Sequence, residues 1–300
     1  IYAQTAETMA RQGQGEEGGR QTASAGEENT RTVTDGIGRT ITLPETVERV
    51  VAVGPGALRQ VAYLDATDRV VGVENSQQPP SPWGRTIPYN LAHPELRDRP
   101  VIGSAGPNAA GNSEAILDVD PDVIFYFGDP SRASSLETQT ETPVVVLKIV
   151  DFVDRDARET MYSTWRLVGR VLDKQDRAEE LIEFVDTTIR DLEDRTGDIP
   201  TAKRHAAYVG AINYKGAHGI ETTRNPFSAF RFVNVENVAA GVETDAASVQ
   251  ISTEQLLTWD PPAIFVSADN LGRVREDVTS NAAFREIEAA RSFEPRIEHS

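Results

Sequence analysis

One segment of this 300-residue chain is written twice, and that repeat limits the fold more than any other feature. Ser113-Glu114-Ala115-Ile116-Leu117, then Asp120-Pro121-Asp122-Val123-Ile124-Phe125, returns 140 positions later as Thr253-Glu254-Gln255-Leu256-Leu257, then Asp260-Pro261-Pro262-Ala263-Ile264-Phe265. Each copy reads as a hydroxyl or acid cap, a short helix, an Asp-Pro that ends the helix, and a buried strand. Such a joint is common enough to recur by chance. Between the copies, however, Met161, Trp165, Val168 and Leu172 recur at spacings of three and four, and Leu181, Val185, Ile189 and Leu192 continue the rhythm. That is the apolar stripe of an amphipathic helix. The pattern predicts some forty residues of helix over residues 155–195, with a break left open at residues 173–176. Either way the helix is read as a rod of several tens of ångströms at about 1.5 Å per residue. Two repeated α/β units joined by a rigid helix is the architecture this predicts.

The first unit is legible in more detail. Residues 33–43 alternate around Asp35-Gly36 and Gly38, which predicts a hairpin, and residues 50–53 form a β-branched run ending at Gly54-Pro55-Gly56. A helix over 57–64, a strand over 70–73, a helix over 113–119 and strands over 123–127 and 144–147 complete an α/β lobe. Parallel strands gather their carboxyl-end loops, so residues 54–59, 74–89, 103–112 and 128–132 are expected on one rim. Gly197 and Pro200 end the long helix, and a strand over 206–210 opens the second lobe. The domain plan is then residues 1–31 as a tether, 32–152 as the first lobe, 153–197 as the connecting helix and 198–300 as the second lobe. The tether is rich in Gln, Gly, Glu, Ser and Thr and has almost no large apolar residue after Tyr2, too little to bury for stable order. It reads as a link to a membrane anchor upstream, or as a poorly ordered terminus.

Charge and composition exclude whole classes of function. A net charge of −17 offers no basic face for releasing counterions from nucleic acid. No stretch reaches the roughly 18 to 20 apolar residues of a membrane span. With no Cys, thiolate nucleophiles, iron–sulfur clusters and zinc–sulfur sites are all absent. Four lysines (Lys148, Lys174, Lys203, Lys215) stand beside 26 arginines and 47 acidic residues, a balance expected of a high-salt or high-GC source. There is no Gly-x-Ser-x-Gly elbow and no His-Glu-x-x-His, so nothing marks an enzyme. The four histidines, His93, His205, His218 and His299, form no local ligand pair, and no bare metal site is expected. Gly54-Pro55-Gly56 lacks the Lys-Ser/Thr of a phosphate loop and the third glycine of a dinucleotide fingerprint. It reads as a turn that brings backbone close to a ligand.

The order and spacing of several segments resemble the solute-binding proteins of metal-chelate ABC importers, over about residues 32–291. The likeness is carried by Ile41-Thr42-Leu43-Pro44 with Arg49-Val50-Val51-Ala52-Val53, by Val70-Val71-Gly72-Val73-Glu74, by residues 120–125 and by Asn281-Ala282-Ala283-Phe284. Tyr89-Asn90-Leu91-Ala92-His93-Pro94-Glu95-Leu96 and Lys215-Gly216-Ala217-His218-Gly219-Ile220 look like an iron-complex subgroup. The resemblance implies two α/β lobes with parallel-type sheets, a long rigid helix between them, and a ligand cleft where the lobes face. It implies a monomer on the outer face of the cytoplasmic membrane or in the periplasm, reversible capture of an iron–siderophore-like chelate, and delivery to a permease dimer with its ATPase. Cobalamin, haem or an oxyanion remain open as ligands, as does a chelate-handling enzyme or sensor on the same plan. No cofactor is expected; iron or cobalt enters only inside the chelate. Family members continue past a segment like residues 289–295 with another strand and helix, so the closing edge of the second lobe is expected to be incomplete.

Cleft candidates come from both lobes: Arg59, Trp83, Arg85 and Tyr89 from the first, Tyr214, Lys215, His218 and Arg224 from the second. Aromatic faces and cations suit a planar or anionic chelate, though each residue alone also fits a solvated or packing role. Because the overall field is negative, an anion depends on local arginines, which singles out Arg59 and Arg224. Glu114 and Glu254 occupy matching places in the repeat. An acid in a first helical turn is favoured by the helix dipole without any partner. The resemblance implies a second role, one docking glutamate per lobe against arginines of the two-fold permease.

Overall fold

The computed structural model describes residues 29–78, 81, 87–106, 108–212, 218–242 and 248–290. The expected hairpin is present as β1 (Thr30–Thr34) antiparallel to β2 (Thr40–Pro44). Residues 30 and 31, assigned to the tether, are instead its first two rungs, opposite Pro44 and Leu43. The Arg31 guanidinium donates to the carbonyls of Arg170 at 2.6 Å and Val171 at 2.8 Å, fastening the hairpin to the end of a helix far along the chain. Most of the expected tether, residues 1–28, lies outside the described residues.

The first lobe is built on β3 (Val50–Val53), the helix α1 (Ala57–Tyr63), β4 (Val70–Gly72), α2 (Pro88–Ala92), α3 (Ser113–Asp118), β5 (Val123–Tyr126), α4 (Pro130–Thr140) and β6 (Val144–Val146). Its four strands are parallel in the order β4-β3-β5-β6. Every residue of β3, β5 and β6 is buried, as expected of a sheet covered on both faces. Alternation then sends Val50, Ala52, Phe125 and Val145 into one core and Val51, Val53, Ile124 and Val146 into the other.

The forty-residue helix does not run as a single rod. It forms α5 (Arg155–Leu172) and α6 (Gln175–Thr196), separated where Asp173 adopts left-handed backbone at φ 54. The two helices fold back on each other: Tyr162 OH donates to Asp186 at 2.7 Å, and Arg166 reaches Glu179 at 2.7 Å, an antiparallel register. Gly169 permits the close crossing, since a Cβ there would stand 3.1 Å from the Ala178 Cβ. Helix α5 belongs to the first lobe, where Met161, Trp165 and Val168 join the core and Trp165 Nε1 donates to the buried Gln60 amide oxygen at 2.8 Å. The connector is therefore α6 alone, 22 residues or about 33 Å. Its single stripe of apolar residues was legible in sequence; the fold-back was not, because periodicity continues through a reversal.

The second lobe centres on β7 (Ala206–Gly210), followed by β8 (Thr222–Thr223), α7 (Ser228–Phe232), β9 (Glu236–Asn237), β10 (Val249–Gln250), α8 (Thr253–Trp259), β11 (Ile264–Val266) and α9 (Leu271–Ser280). Strands β11 and β9 run parallel to β7, but β8 is antiparallel to it and pairs in turn with β10. The sheet is parallel at β7, β9 and β11, as the parallel-type reading expects, with β8 and β10 added antiparallel. The connection from Gly210 to Thr222 is too short for a helical crossover, so the chain returns antiparallel.

The repeat is real in three dimensions. Both α3 and α8 are followed by an aspartate in left-handed backbone, Asp120 at φ 44 and Asp260 at φ 38, and both lead into a strand parallel to the opening strand of their lobe. The caps sit one residue earlier than the sequence reading placed them. Asn112 accepts from the Ala115 N–H and Ser252 from the Gln255 N–H, each at about 3.0–3.1 Å. Ser113 and Thr253 are thus the first helical residues rather than the caps.

Candidate functional site

The carboxyl ends of the first-lobe strands gather as expected, and the segment Glu74 to Gln77 holds them together. Gly54 donates its N–H to Glu74 Oε1 at 2.9 Å, Asn75 Oδ1 accepts from the Ala105 N–H at 3.0 Å, and Gln77 Oε1 accepts from Tyr89 OH at 3.1 Å and Asn90 Nδ2 at 2.8 Å. Tyr126 OH adds a buried bond to the Ala109 carbonyl at 3.1 Å. One short segment therefore sets three rim loops. Between them lies a cavity of about 680 Å³ lined by first-lobe residues, among them Asn75, Ser104, Asn108 and Asn112.

Glu74 is only 7% exposed, and burial pushes its carboxyl up to about 7 against the opposing pull of the Gly54 N–H. A carboxyl whose pKa is raised in the native state stabilises the fold fully below its unfolded value near 4.5 and loses that contribution as pH climbs through 7. Glu74→Gln keeps an acceptor for Gly54 and removes the titration. The variant is expected to be more stable than the parent by about 3 kcal/mol at pH 8.5 and nearly equal at pH 4.5. Urea unfolding at both pH values checks this; parallel pH slopes for the two proteins contradict it.

Arg59 and Tyr89, both expected at the cleft, are brought together. The exposed Arg59 side chain folds back over Gly56, its Nη2 only 3.1 Å from where a Cβ would stand. The Tyr89 phenol is pushed up to about 12 by burial, and the Arg59 charge pulls it the other way, so the two groups lie within electrostatic reach. Trp83, Arg85, Tyr214 and Lys215 lie outside the described residues. His218 is half-buried beside Gly219, where a Cβ would stand 2.4 Å from Asp277 Oδ2. Asp277 also accepts from the Ile220 N–H at 2.9 Å, and the buried Tyr208 OH donates to the Ile220 carbonyl at 2.8 Å. The second-lobe rim is thus pinned by a carboxylate and a tyrosine, much as Glu74 and Tyr126 pin the first.

Arg224 follows β8 and forms an ion pair with Asp151, in the loop that follows β6 of the first lobe. Arg224 therefore stands where the lobes meet, with its charge engaged by Asp151 across the boundary. Sequence reasoning missed Glu74, Asp277 and Asp151 as site residues. Glu74 carried a signal, an acid directly after the buried run Val70-Val71-Gly72-Val73, whereas nothing around Asp151 or Asp277 sets them apart among 47 acidic residues.

Glu114 and Glu254 are both exposed in the first turns of α3 and α8. The Glu254 carboxyl is held below its usual range by its own backbone N–H and by the Ser252 hydroxyl. Among the described residues, no cluster of His, Asp or Glu is arranged to hold a metal ion, and no helix is long and apolar enough to cross a membrane.

A family model described as periplasmic binding protein matches residues 50–293. The chain is 24% identical over 276 residues to the molybdate-binding protein MolA of Haemophilus influenzae, covering 86% of this chain and 74% of that one. It is 24% identical over 252 residues to a cobalamin-binding protein of Halobacterium salinarum, covering 83% of this chain and 60% of that protein. With the Fe(3+)-citrate-binding protein YfmC of Bacillus subtilis it shares 21% identity over 276 residues, 88% of this chain and 76% of the relative. The solved structure of molybdate-bound MolA superposes with a TM-score of 0.67 at 23% identity, over 87% of this chain and 81% of MolA.

Proposed function

The chain belongs to the periplasmic binding protein family, and from that premise we propose that it is the extracytoplasmic solute-binding subunit of an ABC importer. It captures an anionic metal chelate of the iron–siderophore kind reversibly between its lobes and hands it to a permease dimer with its ATPase. It works as a monomer on the outer face of the cytoplasmic membrane or in the periplasm, tethered through its N-terminal segment. The observation that carries this reading is the Arg59 guanidinium folded back over Gly56 of the Gly54-Pro55-Gly56 turn, within electrostatic reach of Tyr89. In a chain of net charge −17, a local arginine of this kind is what an anion needs to bind. Relatives that bind molybdate and Fe(3+)-citrate support an anionic ligand. A bare oxyanion is the second reading, favoured by the likeness to MolA over 86% of this chain.

Calorimetric titration with ferric citrate, haemin, cyanocobalamin and sodium molybdate tests the proposal, with the bound ligand recovered and analysed afterwards. One anionic member should bind and be recovered chemically unchanged. Arg59→Ala should weaken it by about 1–3 kcal/mol, the range for a hydrogen bond to a charged group, with the fold intact. Binding of none of the four, a converted ligand, or unaltered affinity in Arg59→Ala would each count against the reading.

A further inference from the structure

Arg224, the second cation expected to meet the ligand, is already neutralised in the structure. Asp151 is the neutralising group, and it comes from the opposite lobe. The two residues are held in different ways. Arg224 stands at the end of β8, its carbonyl accepting from Asn237 Nδ2 at 3.0 Å, with the buried Thr223 hydroxyl bonded to the Val209 carbonyl at 2.7 Å just before it. Asp151 lies in the irregular stretch between β6 and α5, flanked by Val150 and Phe152, which pack on the first-lobe core, while its own side chain is half exposed. A cation on a stiff frame thus faces a carboxylate on a loop, across the boundary where the ligand is proposed to enter.

We propose that Asp151 is a specificity-determining residue that competes with the ligand for Arg224. In the ligand-free chain its carboxylate occupies the guanidinium. An anion of sufficient charge density takes its place, and a neutral solute does not. Because both side chains reach solvent, Asp151 half exposed and Arg224 about a third, breaking the pair costs little in water, so the exchange is open to a modest ligand. The displaced Asp151 then stands near the bound anion as a like charge, which penalises weakly held anions and raises the threshold for capture. This rests on the reading of the chain as an anion-binding subunit.

The experiment compares wild type, Asp151→Asn, Arg224→Gln and the double variant in titrations with ferric citrate, haemin, sodium molybdate and cyanocobalamin. Thermal melts confirm folding of each variant. Asp151→Asn is expected to bind the preferred anion about three- to tenfold more tightly, from lost competition and lost repulsion. The gain should vanish in the Arg224→Gln background and be absent for cyanocobalamin. An anion that binds Asp151→Asn and not wild type is equally supportive. Equal or weaker binding by Asp151→Asn, or a gain that persists without Arg224, overturns the proposal while leaving anion binding by wild type in place. If neither wild type nor Asp151→Asn binds any of the four, the proposed function and this inference both fall.

Discussion

Gly54→Ala is expected to cost about 4 kcal/mol and to lower the melting temperature by about 10 °C. Gly54 has φ +99, and a Cβ there would stand 1.9 Å from the Phe127 carbonyl oxygen. That oxygen belongs to backbone held in place by the Phe127 N–H bonded to the Val53 carbonyl at 2.9 Å, so it cannot swing aside as a side-chain tip would. The strain of left-handed backbone and the overlap therefore add. Gly38 separates the two contributions, because it has φ +87 with nothing within 4 Å of a built Cβ. Gly38→Ala carries the backbone strain alone and is expected to lose only about 1–2 kcal/mol. Melts of the two variants side by side give the answer; equal losses would mean that the approach to Phe127 is not what demands glycine at position 54. The same displacement would pull the Gly54 N–H from Glu74 and loosen the rim, so ligand affinity should fall together with stability.

Replacing Glu114 and Glu254 together by arginine is expected to abolish uptake while leaving ligand affinity in solution unchanged. Both carboxylates are exposed, both sit in the first turn of a short helix, and the repeat places them equivalently in the two lobes. A two-fold permease would need such a matched pair. The competing explanation is local. An acid near a helix N-terminus is favoured by the dipole, and the Glu254 carboxyl is held below its usual range by its own backbone N–H and the Ser252 hydroxyl. The two explanations differ in size and in readout. Losing the dipole contribution at two surface sites costs little stability and nothing in transport. Reversing two docking charges sets like against like where encounter and orientation are decided. Uptake of radiolabelled ligand by vesicles carrying the cognate permease distinguishes them, and transport by the double variant at the wild-type rate would leave helix capping as the whole role.

Much of this chain could be read from short stretches, because the cause lies within a few residues of the effect. Valine-rich runs such as residues 50–53 and 144–146 became buried parallel strands because β-branched side chains without polar alternation suit a sheet covered on both faces. The Asp-Pro joints ended both short helices, and the recurrence after 140 residues identified two lobes because each copy carries its own local instructions. The caps were misplaced by a single residue, since Asn112 and Ser113, or Ser252 and Thr253, are all credible caps until backbone angles are known.

The sequence by itself thus determined the first-lobe strands, β7 and β11, the helix-to-strand joints, the lobe repeat and the loops that form the first-lobe rim. Tertiary structure alone decided the reversal at Asp173, the mixed second sheet, the burial of Glu74 and the pairing of Asp151 with Arg224. The reversal turns on the contact of Gly169 with Ala178, and the ion pair joins residues from opposite lobes. Each of these depends on how whole elements pack against one another, and side chains distant in the chain become neighbours only once that packing is complete.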